Sequence, residues 1–406
     1  MTTVTPPPPE VEVRPPTTEV GILGWLHHNL FSSKLSGVVS IVLGLVLLLA
    51  IWLSLQWMIY DARWGVITEH MRLFLVGQYP RDEIWRVWLT LAALSITTGL
   101  TAGSSRSGAV RLMAMMVLAG QVLLALLVLV SGLGVVSTLL LLLSAAFVWV
   151  AMYAAGRWPI SRLWISLGWL ATTFATVILL AGIGGSALLP NVSTTIWGGL
   201  LLTIMLSVVG ILLSFPFGVA LAVGRRSNLP VVRLLSTAYI ELIRAVPLIT
   251  ILFMAQFLFP LILPEGIRVE NVIRAMGGIT IFSAAYVAEN VRGGLQAIPV
   301  GQHEAAHSIG LRTWQTTIYI VLPQALRITI PANVGLFISL LKDTTLVYII
   351  SLLDLLGIGR AVLANPEWLG ASFEVYLFVA AVFFVLSYAL SQASYRLEKE
   401  LGIGER

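Results

Sequence analysis

The sequence predicts an all-α integral membrane protein that crosses the bilayer about ten times. Of its 406 residues, 58% are hydrophobic and only 11% are charged, whereas a soluble domain carries about a quarter charged residues. Apolar runs of roughly 18 residues or more recur, and each can cross a hydrocarbon core of ~30 Å as a helix. Cysteine is absent, which excludes disulfides, thiolate metal sites and a cysteine nucleophile.

Residues 1–36 are predicted to form a flexible, proline-rich cytoplasmic tail. The runs Pro6–Pro9 and Pro15-Pro16 favour polyproline II or disorder. The first apolar stretch begins near Gly37 and is long. A signal peptide would start with a basic region and a short apolar stretch, so we interpret this one as a retained helix.

Ten spans are predicted in order along the chain. They cover residues 37–60, 86–103, 110–131, 134–153, 164–185, 197–223, 234–262, 272–291, 328–352 and 373–395. The first five form an N-terminal extension over residues 37–190, the last five lie within residues 191–398, and residues 399–406 form a second cytoplasmic tail. The pattern around Trp64–Val76, in the loop 61–85, suits an amphipathic helix on the outer membrane surface.

The basic residues predict the orientation of the spans, because cytoplasmic loops are enriched in Lys and Arg. Most of them fall on one side if both termini are cytoplasmic. The loops on that side contain Arg106, Arg111, Arg157, Arg162, Arg225, Arg226, Arg233, Arg312, Arg327, Arg396, Lys399 and Arg406. The loop at 61–86 is an exception, because this assignment places it on the outer side although it contains four arginines. The net charge of +5 is explained by these loops and predicts no nucleic-acid partner.

The two halves of the chain differ in the ionisable residues that they place in the membrane. Residues 30–185 have almost no acid within a predicted span, whereas the second half places Glu241, Arg244, Glu289, Lys342 and Asp343 in or beside spans. Such groups cost several kcal/mol in a bilayer, so they usually face a partner or an aqueous path. We therefore expect the functional residues in the second half.

The stretch Glu304–Pro323, between the eighth and ninth spans, reads EAAHSIGLRTWQTTIYIVLP. It predicts a short helix that Gly310 ends by adopting a positive φ, after which Leu322-Pro323 redirects the chain into the next span. The spacing resembles the EAA loop of ABC-importer permeases, through which a separate ATPase drives the membrane subunit. On this resemblance, the residues that couple to the ATPase are Gly301, Gln302, Glu304, Ala305, Ala306, Gly310, Leu322 and Pro323.

Further elements resemble the permeases of polar amino-acid ABC importers, in the order of that family and over about residues 195–398. Glu241–Pro247 (ELIRAVP) is similar to the family's E-x-x-R-G-T-P, with Ala245-Val246 in place of Gly-Thr. The segments before and after the EAA-like loop, Ala285–Gly294 and Pro323–Leu346, also resemble that family. The additional five spans resemble the longer, M-type permease of general L-amino-acid importers.

The resemblance implies a type I ABC permease core of five helices in the bacterial inner membrane. It also implies two ATPase subunits, a second and different permease, a periplasmic amino-acid-binding protein and an amino-acid substrate. This chain would hold no cofactor, and ATP and Mg²⁺ would be bound by the ATPase partners. A substrate path is expected along polar residues of the second half, namely Glu241, Arg244, Glu289, Arg292, Asn333, Lys342 and Asp343.

Two alternatives compete with this interpretation. An ion-coupled secondary transporter would use the intramembrane acids and need no ATPase. A membrane zinc protease would use His303, Glu304 and His307, which satisfy H-E-x-x-H, but no later segment supplies a convincing third ligand. The chain has no G-x-x-x-x-G-K-[ST] sequence, so it is not expected to be the ATPase or another enzyme. Residues 1–190 are expected to be a lateral accessory bundle, so that a chain starting near Val192 should still assemble with its partners.

Overall fold

The computed structural model describes residues 21–158, 160–183, 186 and 189–402. Residues 1–20 and 403–406, which include much of the two predicted tails, lie outside the described residues. The chain divides into two compact units: the first ends at Arg63 and the second begins at Trp64.

In the first unit, the described residues 21–63 form two α-helices, α1 (Gly21–Leu30) and α2 (Lys34–Gln56), the second of which continues into a π-helical turn at Trp57–Asp61. The hydroxyl groups of Ser36 and Ser40 both donate to the carbonyl of Leu30, at 3.0 and 2.8 Å. These bonds join the end of α1 to the start of α2. The last part of the tail predicted up to residue 36 thus contains helical residues, Gly21–Leu30 and the start of the helix Lys34–Gln56.

The second unit is built almost entirely of helices. They are α3 (Gly65–Glu69), α4 (Met71–Val76), α5 (Trp85–Ser104), α6 (Gly108–Val130), α7 (Val135–Arg157), α8 (Arg162–Ala181), α9 (Gly199–Arg225), α10 (Pro230–Arg244), α11 (Leu248–Phe253), α12 (Phe259–Ile262), α13 (Asn271–Ala297), α14 (Val300–Ser308), α15 (Thr313–Gln315), α16 (Leu322–Ile328), α17 (Ile330–Asp343), α18 (Leu355–Leu363) and α19 (Ser372–Leu401). Two π-helical segments, Met254–Leu258 and Thr316–Val321, join α11 to α12 and α15 to α16. A single short strand, β1 (Leu353–Asp354), precedes α18.

Among the described residues, nine helices are long and apolar enough to cross a bilayer, and one bent helix pair makes ten if it counts as one span. This agrees with the all-α class and the number of spans expected from composition. The span predicted at 234–262 is bent, because α10 and the helix from Leu248 to Ile262 meet at 106°. The break lies at Pro247, which has no N–H to donate and disfavours the helical conformation of Val246.

The loop predicted at 61–85 also differs from the expectation. Instead of one amphipathic helix on the membrane surface, it forms α3 and α4, whose apolar side chains pack against α18 and α19. Val66, Met71 and Phe74 are fully or almost fully buried. Apolar periodicity shows that one face of a helix is covered, but it does not distinguish a lipid surface from a protein surface.

A small strand junction connects this loop to the second half of the chain. Gly77 forms an antiparallel bridge with Trp197, and Gly198 and Gly199 form parallel bridges with Leu353 and Asp354. A Cβ on Gly77 would lie 2.6 Å from the backbone of Gly198, so this close approach requires glycine. Burial raises the pKa of the Asp354 carboxyl group to about 6. The backbone N–H groups of Gly357 and Leu356 donate hydrogen bonds to this carboxylate and lower its pKa, but they do not outweigh burial.

The predicted boundary near residue 190 does not separate two compact units, since residues on both sides of it share one apolar cluster. Tyr79 and Leu180 lie in the same buried cluster as Trp197 and Leu202. The Tyr79 hydroxyl donates to the carbonyl of Leu180 at 2.9 Å, and burial raises the pKa of Tyr79 to about 12. The extension beyond Arg63 is thus packed into the same unit as the second half.

Candidate coupling segment and charge cluster

The EAA-like stretch forms helix α14, which is closed as the sequence predicts. Gly310 has φ +83°, and the N–H of Leu311 donates to the carbonyl of Ala306 at 3.1 Å. A Cβ on Gly310 would meet open space. The need for glycine is therefore conformational, since the left-handed region is costly for other residues.

Helix α14 is attached along one face and open along the other. Ala306 is buried, and the Gln302 side chain accepts a hydrogen bond from Nε2 of Gln324 on α16, at 3.1 Å. Glu304 and Ala305 are exposed, as is Ile309, at 76%. A short helix held by its neighbours with a mixed polar and apolar outer face can dock a protein partner.

Pro323 does not redirect the chain as expected. It lies in the first turn of α16, which continues from the π-helical segment Thr316–Val321. The N–H of Leu322 donates to the carbonyl of Thr317, five residues earlier, and this wider turn adapts the backbone to the missing N–H of proline. The interruption instead lies at Thr329, between α16 and α17.

Four of the residues predicted for the substrate path meet in one charge cluster. Glu289 is at its centre: its carboxylate accepts from Arg292 at 2.9 Å and lies 3.3 Å from Arg244. Arg225 lies 2.8 Å from the Glu241 carboxylate and 3.6 Å from that of Glu289. Three guanidinium groups and two carboxylates leave a net charge of +1, so the cluster favours an additional anionic group.

Helix packing produces this cluster. Helices α9 and α13 run side by side so closely that a Cβ on Gly218 would lie 2.5 Å from the Val287 side chain. Helix α10 is tied to α13 by the Tyr239 hydroxyl, which donates to the carbonyl of Ile281 at 2.7 Å, and Arg244 lies over the ring of Tyr286. Arg225 was assigned from sequence only as a loop residue that orients a span, because cross-helix pairing leaves no local sequence signal.

The other three predicted path residues lie elsewhere. Asn333 is buried, and its Oδ1 accepts a hydrogen bond from Nδ2 of Asn290, the residue after Glu289, at 3.1 Å. Lys342 and Asp343 are nine and ten residues further along α17, which corresponds to a rise of about 13–15 Å. Lys342 is exposed and Asp343 is half-buried. The structure therefore divides the predicted path residues into a cluster and a separate pair.

The two histidines of the H-E-x-x-H sequence lie on α14. Nδ1 of His307 contacts the carbonyl of Leu311 at 3.1 Å, within the turn that closes the helix. In the part of the chain that the structure describes, no three His, Asp or Glu side chains form a group that could hold a metal ion.

On the resemblance to ABC permeases, we expect that replacing both histidines by glutamine leaves transport within about twofold of the unmodified protein, because the glutamine amide can replace the hydrogen bond of His307. Uptake into proteoliposomes measures this directly, and elemental analysis of the purified protein measures zinc. Stoichiometric zinc that is lost in the double variant would contradict the expectation.

The fold is that of a polytopic α-helical membrane protein, in which the partly exposed helix α14 and a cluster of charged side chains belong to the same unit. A family model described as the binding-protein-dependent transport system inner membrane component matches residues 214–399. The inner membrane amino-acid ABC transporter permease protein YhdY of Escherichia coli is 36% identical to this chain, over 94% of it and 93% of the relative. The glutamate/glutamine/aspartate/asparagine transport system permease protein BztC of Rhodobacter capsulatus is 35% identical, over 95% of both proteins.

The chain therefore belongs to the family of binding-protein-dependent permeases of ABC transporters, in the group that contains amino-acid permeases. Its family is one of transporter subunits and not of enzymes. A crystal structure of an amino acid ABC transporter with histidines is 29% identical over 50% of this chain and 92% of that chain, with a TM-score of 0.45. The match to YhdY and BztC over nearly the full length includes the N-terminal extension.

Proposed function

We propose that this chain is one permease subunit of an ATP-driven importer of polar or broad-range L-amino acids, working by alternating access. The observation that carries the proposal is similarity over nearly the whole chain to relatives whose names state amino-acid transport. The partners are an ABC ATPase dimer that binds ATP and Mg²⁺, a different second permease and a periplasmic amino-acid-binding protein. In the inner membrane, both termini and α14 face the cytoplasm.

The proposed coupling element is α14 with the flanking residues Gly301 to Pro323. Closure of the ATPase dimer moves α14, and its bond to α16 passes the motion on to the helices of the core. The exposed Glu304 and Ala305 are positioned to contact the ATPase, while the buried Ala306 faces the permease.

The function is tested by purifying the chain with its bound partners and measuring uptake in proteoliposomes. An amino-acid importer requires a co-purified ATPase, the binding protein and ATP. Uptake driven by an ion gradient without ATP would instead establish a secondary transporter. Stoichiometric zinc with peptide hydrolysis would establish the protease.

Replacing Gly310 by valine is expected to weaken ATPase association and uptake roughly tenfold. A β-branched residue in the left-handed region costs about 1–2 kcal/mol, and the end of α14 would change direction to avoid it. Co-purification of the ATPase and ATP-dependent uptake measure the effect. Gly310→Asn is the matched control, because asparagine tolerates positive φ, and it should retain most of the activity. Normal uptake by the valine variant at normal expression would refute the coupling role.

The proposed substrate path follows the polar residues of the second half. A zwitterionic amino acid needs a cation for its carboxylate and an acceptor for its ammonium, and Arg244, Glu289, Lys342 and Asp343 offer these groups. Lys342 supports the proposal most strongly: it lies in a span, is exposed on this chain, and pairs with no carboxylate among the described residues. A lysine at membrane depth requires water, a ligand or a partner.

A further inference from the structure

An open groove of about 380 Å³ lies between helices α6 and α7 of the extension. Its lining is apolar and consists of Leu118, Ala145, Ala146, Trp149 and Val150. The groove is shallow and open along its length, so it suits a chain that lies along the surface and not an enclosed small molecule. None of the residues of the charge cluster or of the coupling segment takes part in it.

Two arginines lie in line with this groove, both toward the same end of the helix pair. Arg111 precedes Leu118 by seven residues on α6, and Arg157 follows Val150 by seven residues on α7. A separation of seven residues is about two turns, so each arginine shares a helix face with the lining residue and lies about 10 Å beyond it. Both are exposed.

The guanidinium group of Arg157 is held by an aromatic stack that begins in the groove. The rings of Trp149 and Tyr153 are parallel within 4°, with centroids 6.0 Å apart. Cζ of Arg157 lies 4.6 Å from the centroid of the Tyr153 ring, a distance at which cation–π attraction operates. The stack leads from an apolar floor to a cation, and it leaves the N–H donors of the arginine available.

The two arginines have unneutralised charge. Among the described residues, neither pairs with a carboxylate. The carboxylate of Glu400 lies at the start of α6, where it accepts hydrogen bonds from the Ser107 hydroxyl at 2.6 Å and from the N–H of Ala109 at 2.8 Å. The end of the groove therefore presents net positive charge next to an apolar surface.

This end is also the end at which the coupling segment lies. Arg327 of α16 donates to the carbonyl of Leu401, the residue that follows Glu400. In the orientation proposed above, it is the cytoplasmic leaflet, whose anionic lipids attract basic residues at the membrane surface.

We propose that the α6–α7 groove binds an anionic phospholipid, with an acyl chain along the groove and the phosphate held by Arg111 and Arg157. The apolar lining matches the acyl chain of such a lipid. The two arginines, which lie about two helical turns beyond the lining residues, match its phosphate. The assignment of the site to the cytoplasmic leaflet depends on the proposed orientation, whereas the site itself is inferred only from the geometry of α6 and α7. Lipid binding is measured separately from transport. An absence of lipid binding would therefore refute this proposal without refuting the proposed function.

Native mass spectrometry of the purified complex, titrated with phosphatidylglycerol or with phosphatidylcholine of identical acyl chains, tests the site. We expect the unmodified protein to bind phosphatidylglycerol about 30-fold more tightly than phosphatidylcholine, since each of the two arginines contributes about a kcal/mol toward an anionic headgroup. The double variant R111Q/R157Q should lose this preference. A146W should weaken the binding of both lipids, because Ala146 is exposed in the groove.

R162Q is the matched control, because Arg162 is an exposed arginine at the start of α8 that does not line the groove. Equal binding of the two lipids by the unmodified protein, or an equal loss in R162Q and in the double variant, would overturn the proposal. A photoreactive amino acid at Val150 that captures a protein chain and no lipid would overturn it too. If A146W is not recovered, the double arginine variant and its control decide.

Discussion

Replacing Glu289 by glutamine is expected to destabilise the permease by about 2 kcal/mol and to reduce transport at least tenfold. The substitution leaves Arg225, Arg244 and Arg292 close together with only Glu241 to balance them. Removing one partner of a buried ion pair costs about 3–5 kcal/mol, and the Glu289 side chain retains 23% exposure, which lowers the cost. Thermal unfolding of the purified complex and ATP-dependent uptake measure the two effects.

Glu241→Gln is the matched control for Glu289. Its side chain is 55% exposed and, among the described residues, forms one ion pair, with Arg225, so we expect a loss below about 1 kcal/mol. Equal destabilisation by the two substitutions would show that Glu289 is not the centre of the cluster. If Glu289 instead contacts the substrate directly, KM rises in Glu289→Gln while the unfolding temperature is unchanged.

Removing residues 1–190 is expected to abolish recovery of a folded permease, in contrast to the expectation from sequence. The deletion removes Val66, Ile67, Met71 and Phe74, which are buried outside the predicted spans. Each such side chain contributes about 2 kcal/mol. The combined loss of roughly 8 kcal/mol is comparable to the whole stability of a typical domain, about 5–15 kcal/mol.

Residues 1–63 provide the control for this deletion, because the second compact unit begins at Trp64. In both variants the deleted segment is replaced by the same cleavable signal peptide, so that residue 64 or 191 starts on the same side of the membrane. We expect the shorter deletion to yield a monodisperse complex with the ATPase and the longer one to aggregate. Comparable recovery of a functional transporter from both would support the accessory bundle expected from sequence.

The helix that carries the coupling motif was predicted from local chemistry. A short helix-forming run after Pro299 and a glycine at residue 310 are sufficient to predict α14 and its end, because helix termination depends on the φ of one residue. The direction of the chain at Pro323 was not predictable in this way. A proline ends a regular α-helix, but a preceding π-helical segment accommodates it, and that segment depends on the packing of α15 and α16 against their neighbours.

The charge cluster was likewise predicted only in part from the sequence. Sequence predicted that Glu241, Arg244 and Glu289 are functional, because charges in apolar spans are costly, and it placed Arg292 on the substrate path with them. It did not separate them from Lys342 and Asp343, and it did not include Arg225. Which charges meet depends on the contact between α9 and α13 and on the 106° bend between α10 and α11.

By itself, the sequence determined the class of protein, the number of spans and the resemblance to ABC permeases. These follow from composition, from the length of apolar runs and from the spacing of short motifs, all of which are local properties of the chain. Only the tertiary structure decided that α3 and α4 are buried against α18 and α19, and that the extension from Trp64 onward belongs to one unit with the second half. The reason is physical: an apolar face is equally compatible with lipid and with protein, and only three-dimensional packing determines which of them covers it.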